Sequence, residues 1–151
     1  MGVRGLKAFL SRHRRVGADT MVFIYHLQDH PRYSPLTQLL LEAWEMGRNA
    51  GVISVITLLE VLLKPRREGN MEAARDYLEL LTTYPNLMIV EVDLQVAELA
   101  SDLRARYGVR TPDALQVAAA LRAGATVFIT NDRRLKRVAE LEVVLLDELR
   151  P

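Results

Sequence analysis

Apolar positions along the chain alternate between two periods. Short runs rich in Val and Ile recur as "RVGA" at 15–18, "GVISV" at 51–55, "LMIVEV" at 87–92, "TVFIT" at 126–130 and "EVVLLD" at 142–147. Their length and β-branching predict strands. Between them the apolar residues take helical spacing. Leu36, Leu39, Leu40, Ala43 and Trp44 predict a helix over 35–48, and Tyr77, Leu80, Leu81 and Tyr84 mark one face of a helix over 71–84. "ITLLEVLL" predicts a short helix closed by Pro65, with "KPRREGN" as a surface loop. "LQVAELASDLRARYG" predicts a helix ended by Gly108, and a short basic helix is expected over 133–139. Strands separated by helices imply a parallel sheet covered on both faces.

One segment, "TPDALQVAAALRAGATVFITND" at 111–132, is almost wholly apolar yet carries an aspartate near each end. Thr111 suits a cap, Pro112 a first helical position, and Asp113 the first turn. A helix over 113–123 runs roughly 16 Å. The strand after Gly124 returns about 20 Å. Helix start and strand end therefore share one edge of the sheet, and Asp113 and Asp132 are expected to be neighbours. Asp19 directly follows the first strand, and Glu60 lies within one or two turns of "VISV". All four acids fall at the carboxyl edge of the strands, where parallel sheets bind ligands.

Each acid also has a plainer role. Asp113 complements a helix dipole, Asp19 and Asp132 can cap helices, and Glu60 can pair with an arginine. Glu60 fits this least well, because its flanks are apolar on every side of the helix and a lone buried carboxylate is costly. As a set, the acids repel. Two unit charges 4 Å apart interact by about 4 kcal/mol at an effective dielectric of 20. Protons or divalent cations must relieve this, and oxygen donors without Cys or clustered His favour Mg²⁺ or Mn²⁺.

Composition changes this picture little. The chain has 151 residues, 50% hydrophobic and 26% charged, which suits one domain with a sizeable core. A net charge of +1 neither argues for nor excludes a nucleic-acid partner, although 17 of the 20 basic residues are Arg. The absence of cysteine excludes disulfides, thiol nucleophiles and thiolate metal sites and fits a cytoplasmic location. No apolar run approaches a membrane span. Residues 1–14 read as a basic N-terminal extension, solvated, before a single domain over 15–151. Leu6, Phe9 and Leu10 give it the spacing of a short amphipathic helix, with a transit peptide or an RNA-touching arm as alternatives. His13, His26 and His30 lack metal-ligand spacing and read as surface or packing residues.

"ADTMVFIYHL", "VISVITLLEVLLKP", "GVRTPDALQVAAALRAGATVFITND" and "RRLKRV", in that order, resemble the PIN-domain family, and most of all its small VapC-like toxin ribonucleases. The resemblance runs from about Arg15 to the C-terminus. It implies a three-layer α/β/α sandwich with a mainly parallel five-stranded sheet. It further implies a metal-dependent endoribonuclease acting on single-stranded RNA and leaving 5′-phosphate and 3′-hydroxyl ends. Motif by motif, Asp19, Glu60, Asp113 and Asp132 take the places of the catalytic acids, which hold one or two Mg²⁺ or Mn²⁺ ions. Thr130 matches a supporting hydroxyl, with Ser54 and Asn131 as further supporting candidates. Arg110, Arg133 and Arg134 are candidates for holding the RNA backbone, with a solvated helix face as the alternative. Toxin-like members pair with a small antitoxin and commonly form homodimers. Met21 departs from the family, which commonly has Asn or another small polar residue there.

Three other readings remain. A phosphatase with D-x-D after its first strand is disfavoured by Asp19-Thr20-Met21. A stand-alone RNA-processing nuclease and a non-catalytic RNA- or protein-binding module both stay open.

Overall fold

The computed structural model describes residues 4–151. A two-residue strand, β1 (Arg4–Gly5), leads into the short helix α1 (Leu6–Leu10). There follow β2 (Arg15–Ala18), α2 (Thr20–Leu27), α3 (Ser34–Glu45), β3 (Ala50–Ser54), α4 (Val55–Arg67) and α5 (Met71–Thr83). The rest comprises β4 (Leu87–Val90), α6 (Leu94–Tyr107), α7 (Thr111–Arg122), β5 (Val127–Thr130), β6 (Glu142–Leu145) and β7 (Leu149–Arg150), with 3-10 turns at Arg133–Arg137 and Leu146–Glu148. Strands β2 to β6 form one five-stranded sheet in the order β4-β3-β2-β5-β6, parallel at every pairing. This is the expected three-layer sandwich.

Strand periodicity divides the core. Val16, Ala18, Ile53, Val127, Ile129 and Val144 join one buried cluster with α1 to α5, while Val52, Phe128 and Val143 join a second with α6 and α7. Alternate residues of a strand face opposite sides, so each layer of helices receives its own half of every strand. Two glycines allow close approach. A Cβ on Gly17 would lie 2.8 Å from the Ala120 Cβ, and one on Gly51 would lie 2.6 Å from the Trp44 ring. The alanine-rich face of α7 thus lies directly on β2, which sets Asp113 close to the end of that strand.

Four local expectations are corrected. Pro65 does not close α4. It sits in the last turn, where its missing N–H costs a single ladder bond, and the helix runs on to Arg67 before Gly69 turns at φ +68°. The predicted loop therefore begins only after Arg67. Thr111 is the first helical residue of α7 and Arg110 takes the cap position without a side-chain bond. The stretch expected as a solvated N-terminal extension is packed: Leu6, Phe9 and Leu10 are buried in the first core cluster, and β1 pairs with β7. Among the described residues no helix is long and apolar enough to cross a membrane.

Candidate functional site

The parallel register brings the strand ends into line. Ala18 pairs with Ile129, Thr130 with Leu145, and Ser54 with Val90. The residues that follow must leave the sheet on one rim. Asp19, Glu60, Asp113 and Asp132 all line a single cleft there of ≈ 430 Å³. A hollow of ≈ 440 Å³ between α1 and α3 carries one acid, Glu42, and no comparable set.

Asp19 occupies the cap position of α2 but makes no capping bond with its side chain. Instead its Oδ2 accepts a 2.7 Å hydrogen bond from the Thr130 hydroxyl, which in turn accepts the Asp132 backbone N–H at 3.1 Å. Thr130 therefore ties the first acid to the backbone of the last. Asp19 is 8% exposed and has no cationic partner among the described residues. Burial pushes its carboxyl up to about 6, and the charges of Asp113 and Glu60 add to the rise against the hydrogen bonds from Thr130 and the Thr20 backbone. Asp113 and Glu60 thus act on Asp19 in one shared field.

Glu60, half-buried on α4, is held by neutral donors. The Thr20 hydroxyl and the Gln116 side-chain amide each donate to its Oε1 at 2.9 Å. Gln116 is itself buried, and its Oε1 accepts the Thr20 backbone N–H at 3.3 Å and the Thr57 hydroxyl at 3.4 Å. Thr20, Thr57 and Gln116 were not singled out from sequence. The signals are faint but present: Gln116 is the one polar side chain in the apolar run after Asp113, and Thr57 sits three residues before Glu60.

The other two acids have arginines. Asp113 is 7% exposed, and its Oδ2 accepts Arg110 Nε at 3.1 Å. Asp132 is gripped more fully. Its Oδ1 accepts the Arg134 backbone N–H and Nε, both at 3.0 Å, and its Oδ2 accepts Nη2 at 2.8 Å. These hydrogen bonds hold its carboxyl below the ordinary aspartate value. Asp132 is a true cap of the following 3-10 turn, whereas Asp19 is not.

The remaining candidates separate by position. Arg110, Arg133 and Asn131 line the cleft. Arg134 acts on it through Asp132. Ser54 does not reach it: it caps α4 by accepting the Ile56 N–H at 3.1 Å. None of the three histidines lines it. His13, for example, bonds Thr126 at 2.7 Å at the far edge of the sheet.

The donor set fits a hard divalent cation by its chemistry. It consists of four carboxylates, two of which have no cationic partner among the described residues, and one of these, Asp19, is destabilised by burial and then by its neighbours. Among the described residues no three His, Asp or Glu side chains are gathered tightly enough to hold a metal as they stand. Asp113 gives one oxygen to Arg110, whereas both oxygens of Asp132 are taken by Arg134, so Asp132 joins a ligand set only by exchanging that pair.

Comparison with known proteins agrees with this frame. Chains in three solved complexes share the fold. A Rickettsia felis VapBC2 structure, bound to a DNA fragment from its promoter, aligns with a TM-score of 0.66 and 20% identity over 87% of this chain and 98% of that one. A toxin–antitoxin complex from Klebsiella pneumoniae gives 0.63 and 23% over 87% and 97%, and VapBC-1 from nontypeable Haemophilus influenzae gives 0.64 and 22% over 88% and 98%. No curated protein sequence matches. The family model for the PIN domain matches residues 18–141, a span that contains all four acids and most of the sheet, and the chain belongs to the PIN domain family.

Proposed function

We propose that the protein is a metal-dependent ribonuclease that hydrolyses phosphodiester bonds of single-stranded RNA, and that it is the toxin of a toxin–antitoxin pair. The observation that carries the chemistry is the convergence of Asp19, Glu60 and Asp113 at one strand edge, with Asp19 buried and held by neutral donors. Such a carboxylate keeps its charge at neutral pH far more easily beside a cation. Membership of a nuclease family and the likeness to toxin–antitoxin structures support the biological setting. A small antitoxin protein and a second copy of the chain are the expected partners.

The residues divide the work. Asp19, Glu60, Asp113 and Asp132 would hold one or two Mg²⁺ or Mn²⁺ ions. When bound, such an ion lowers the pKa of water and polarises a phosphoryl oxygen. Thr130 fixes Asp19, while Thr20 and Gln116 fix Glu60 through Oε1. Arg110, Arg133 and Arg134 stand beside the acids and suit the negative backbone of a bound strand. No side chain need act as a covalent nucleophile.

Incubation of mixed single-stranded RNAs with Mn²⁺ tests this. Wild-type protein should cleave, and Asp19→Asn and Asp113→Asn should lose nearly all activity. Equal cleavage by all three would assign the activity to a contaminant. The arginine pairs on Asp113 and Asp132 favour one other reading, a non-catalytic RNA- or protein-binding module. That reading expects no thermal stabilisation by Mn²⁺, whereas a metal site stabilises the fold by mass action.

A further inference from the structure

The acid cleft has an apolar wall for which hydrolysis of a phosphodiester has no direct use. Met21 and Tyr25 stand one helical turn apart on α2, and both line the cleft, with no side-chain hydrogen bond among the described residues. Met21 is 39% exposed. Tyr25 is half-buried and braced from behind. Its ring stacks on Tyr33 with centroids 4.6 Å apart and planes at 29°, and His30 meets it edge-on at 5.0 Å. Tyr33 is fixed in turn, because its hydroxyl donates to Asp147 at 2.7 Å and is hydrogen-bonded by Asn131. The three rings form a rigid block with one member facing the cleft.

A nucleotide carries two chemistries that match the two sides of this cleft. Its phosphate suits the cation-seeking acids and the nearby Arg110 and Arg133. Its base is a flat apolar surface that water solvates poorly once unstacked. Aromatic side chains that are already ordered take up such a base at little further entropic cost. We propose that Met21 and the Tyr33-backed ring of Tyr25 form a nucleobase subsite, which takes an unpaired base next to the phosphate lying among the acids. This rests on the ribonuclease reading and deepens it. Tyr33 covers one face of Tyr25, so the base stacks on the remaining face and against the Met21 thioether. Every base has a π-face, so the subsite selects unpaired over duplexed RNA more strongly than it selects a sequence.

Fluorescence anisotropy with two probes tests the subsite: a labelled single-stranded oligoadenylate, and an abasic oligomer of equal length and phosphate number, both in Ca²⁺. Wild-type protein should prefer oligoadenylate. Tyr25→Leu should weaken that binding by about tenfold, the scale of one lost aromatic stack, and leave the abasic oligomer unaffected. Tyr25→Phe should retain the preference. Met21→Asn, at an exposed position that does not endanger folding, should show a smaller loss with the same selectivity, and it carries the comparison if Tyr25→Leu is unfolded by thermal scan. Equal loss on both probes, or no loss on either, would overturn the subsite. Wild-type protein that cleaves RNA yet binds both probes equally would sink the subsite alone. Protein that neither cleaves RNA nor binds either probe would remove the ribonuclease reading, and the subsite with it.

Discussion

Asp19 and Asp132 stand just past the ends of adjacent parallel strands, yet their charges stand in opposite surroundings. Asp19 is buried, accepts a hydroxyl from Thr130, and feels two other carboxylates. Asp132 lies further out, with a side chain 20% exposed, and is chelated by Arg134 two residues along. The same division runs through the second pair. Glu60 is held by Thr20 and Gln116, both neutral, and Asp113 by Arg110. One half of the cleft is preorganised but electrostatically burdened. The other half is already satisfied by arginines, and Asp132, with both oxygens taken, must exchange partners to bind a cation. The first half should therefore supply most of the drive for metal binding and the second most of its adjustability.

The sharpest way to break this comparison is to remove the burden. Asp19→Asn should make the metal-free protein more stable at pH 7, because the buried charge is gone while a hydrogen-bonding side chain remains. A group whose folded pKa is raised gives stability that is fully present below its unfolded pKa and lost as pH rises through the folded value. For Asp19 that window runs from 3.8 to about 6. Wild-type stability, measured by urea unfolding without metal, should fall across that window relative to Asp19→Asn. The full difference should reach up to about 3 kcal/mol, at about 1.4 kcal/mol per pKa unit. Adding Mn²⁺ at pH 7 should reverse the order by stabilising wild type alone. A variant less stable than wild type at pH 7 without metal would mean that Asp19 is not burdened at all.

The neutral donors come next. Gln116→Leu removes one of the two donors on Glu60 Oε1 and takes away an acceptor from the Thr20 N–H and the Thr57 hydroxyl. Residues that orient a ligand typically contribute about 10- to 100-fold in metal affinity or activity. The loss should therefore appear in Mn²⁺ titration by calorimetry as well as in cleavage, with a stability cost of about 1–3 kcal/mol from the unpaired buried groups. Unchanged Mn²⁺ affinity in a folded Gln116→Leu protein would make the Thr20–Thr57–Gln116 network a core feature with no bearing on the site.

How much of this was visible in the chain depends on the range of each interaction. The strands were legible because β-branched runs such as "TVFIT" report their own conformation. That Asp113 and Asp132 leave the fold on one rim was legible because helix and strand of similar length bring the chain back to the edge it left, and both acids line the same cleft there. Gln116 was not, since its partners Thr20 and Glu60 are 96 and 56 residues away and only the sheet order brings them together. The packing of Leu6 and Phe9 was hidden by the arginines around them, which outweigh two apolar side chains in any local count. The Arg134 grip on Asp132 was hidden too, because a pair two residues apart does not meet within a helix, and it forms here because Asp132 stands in extended conformation at the cap position just ahead of the turn.

That grip gives the smallest expected effect and the one that most directly tests the satisfied half of the cleft. Arg134 is exposed, so its pair with Asp132 is screened by water and contributes little to the fold. Its influence lies in competition, since the same two carboxylate oxygens that accept its guanidinium are the ones a cation would need. Arg134→Gln should therefore tighten Mn²⁺ binding by about two- to fivefold, the scale of an exposed ion pair, while leaving thermal stability without metal unchanged. Added salt should narrow the gap, because it weakens the arginine pair in wild type and has no such pair to weaken in the variant. If RNA backbone also uses this arginine, the variant should bind metal better and RNA worse, a split that loss of a purely structural contact would not produce. Weaker Mn²⁺ binding in Arg134→Gln would instead mean that the arginine holds Asp132 in place for the cation, and the two halves of the cleft would then be preorganised alike.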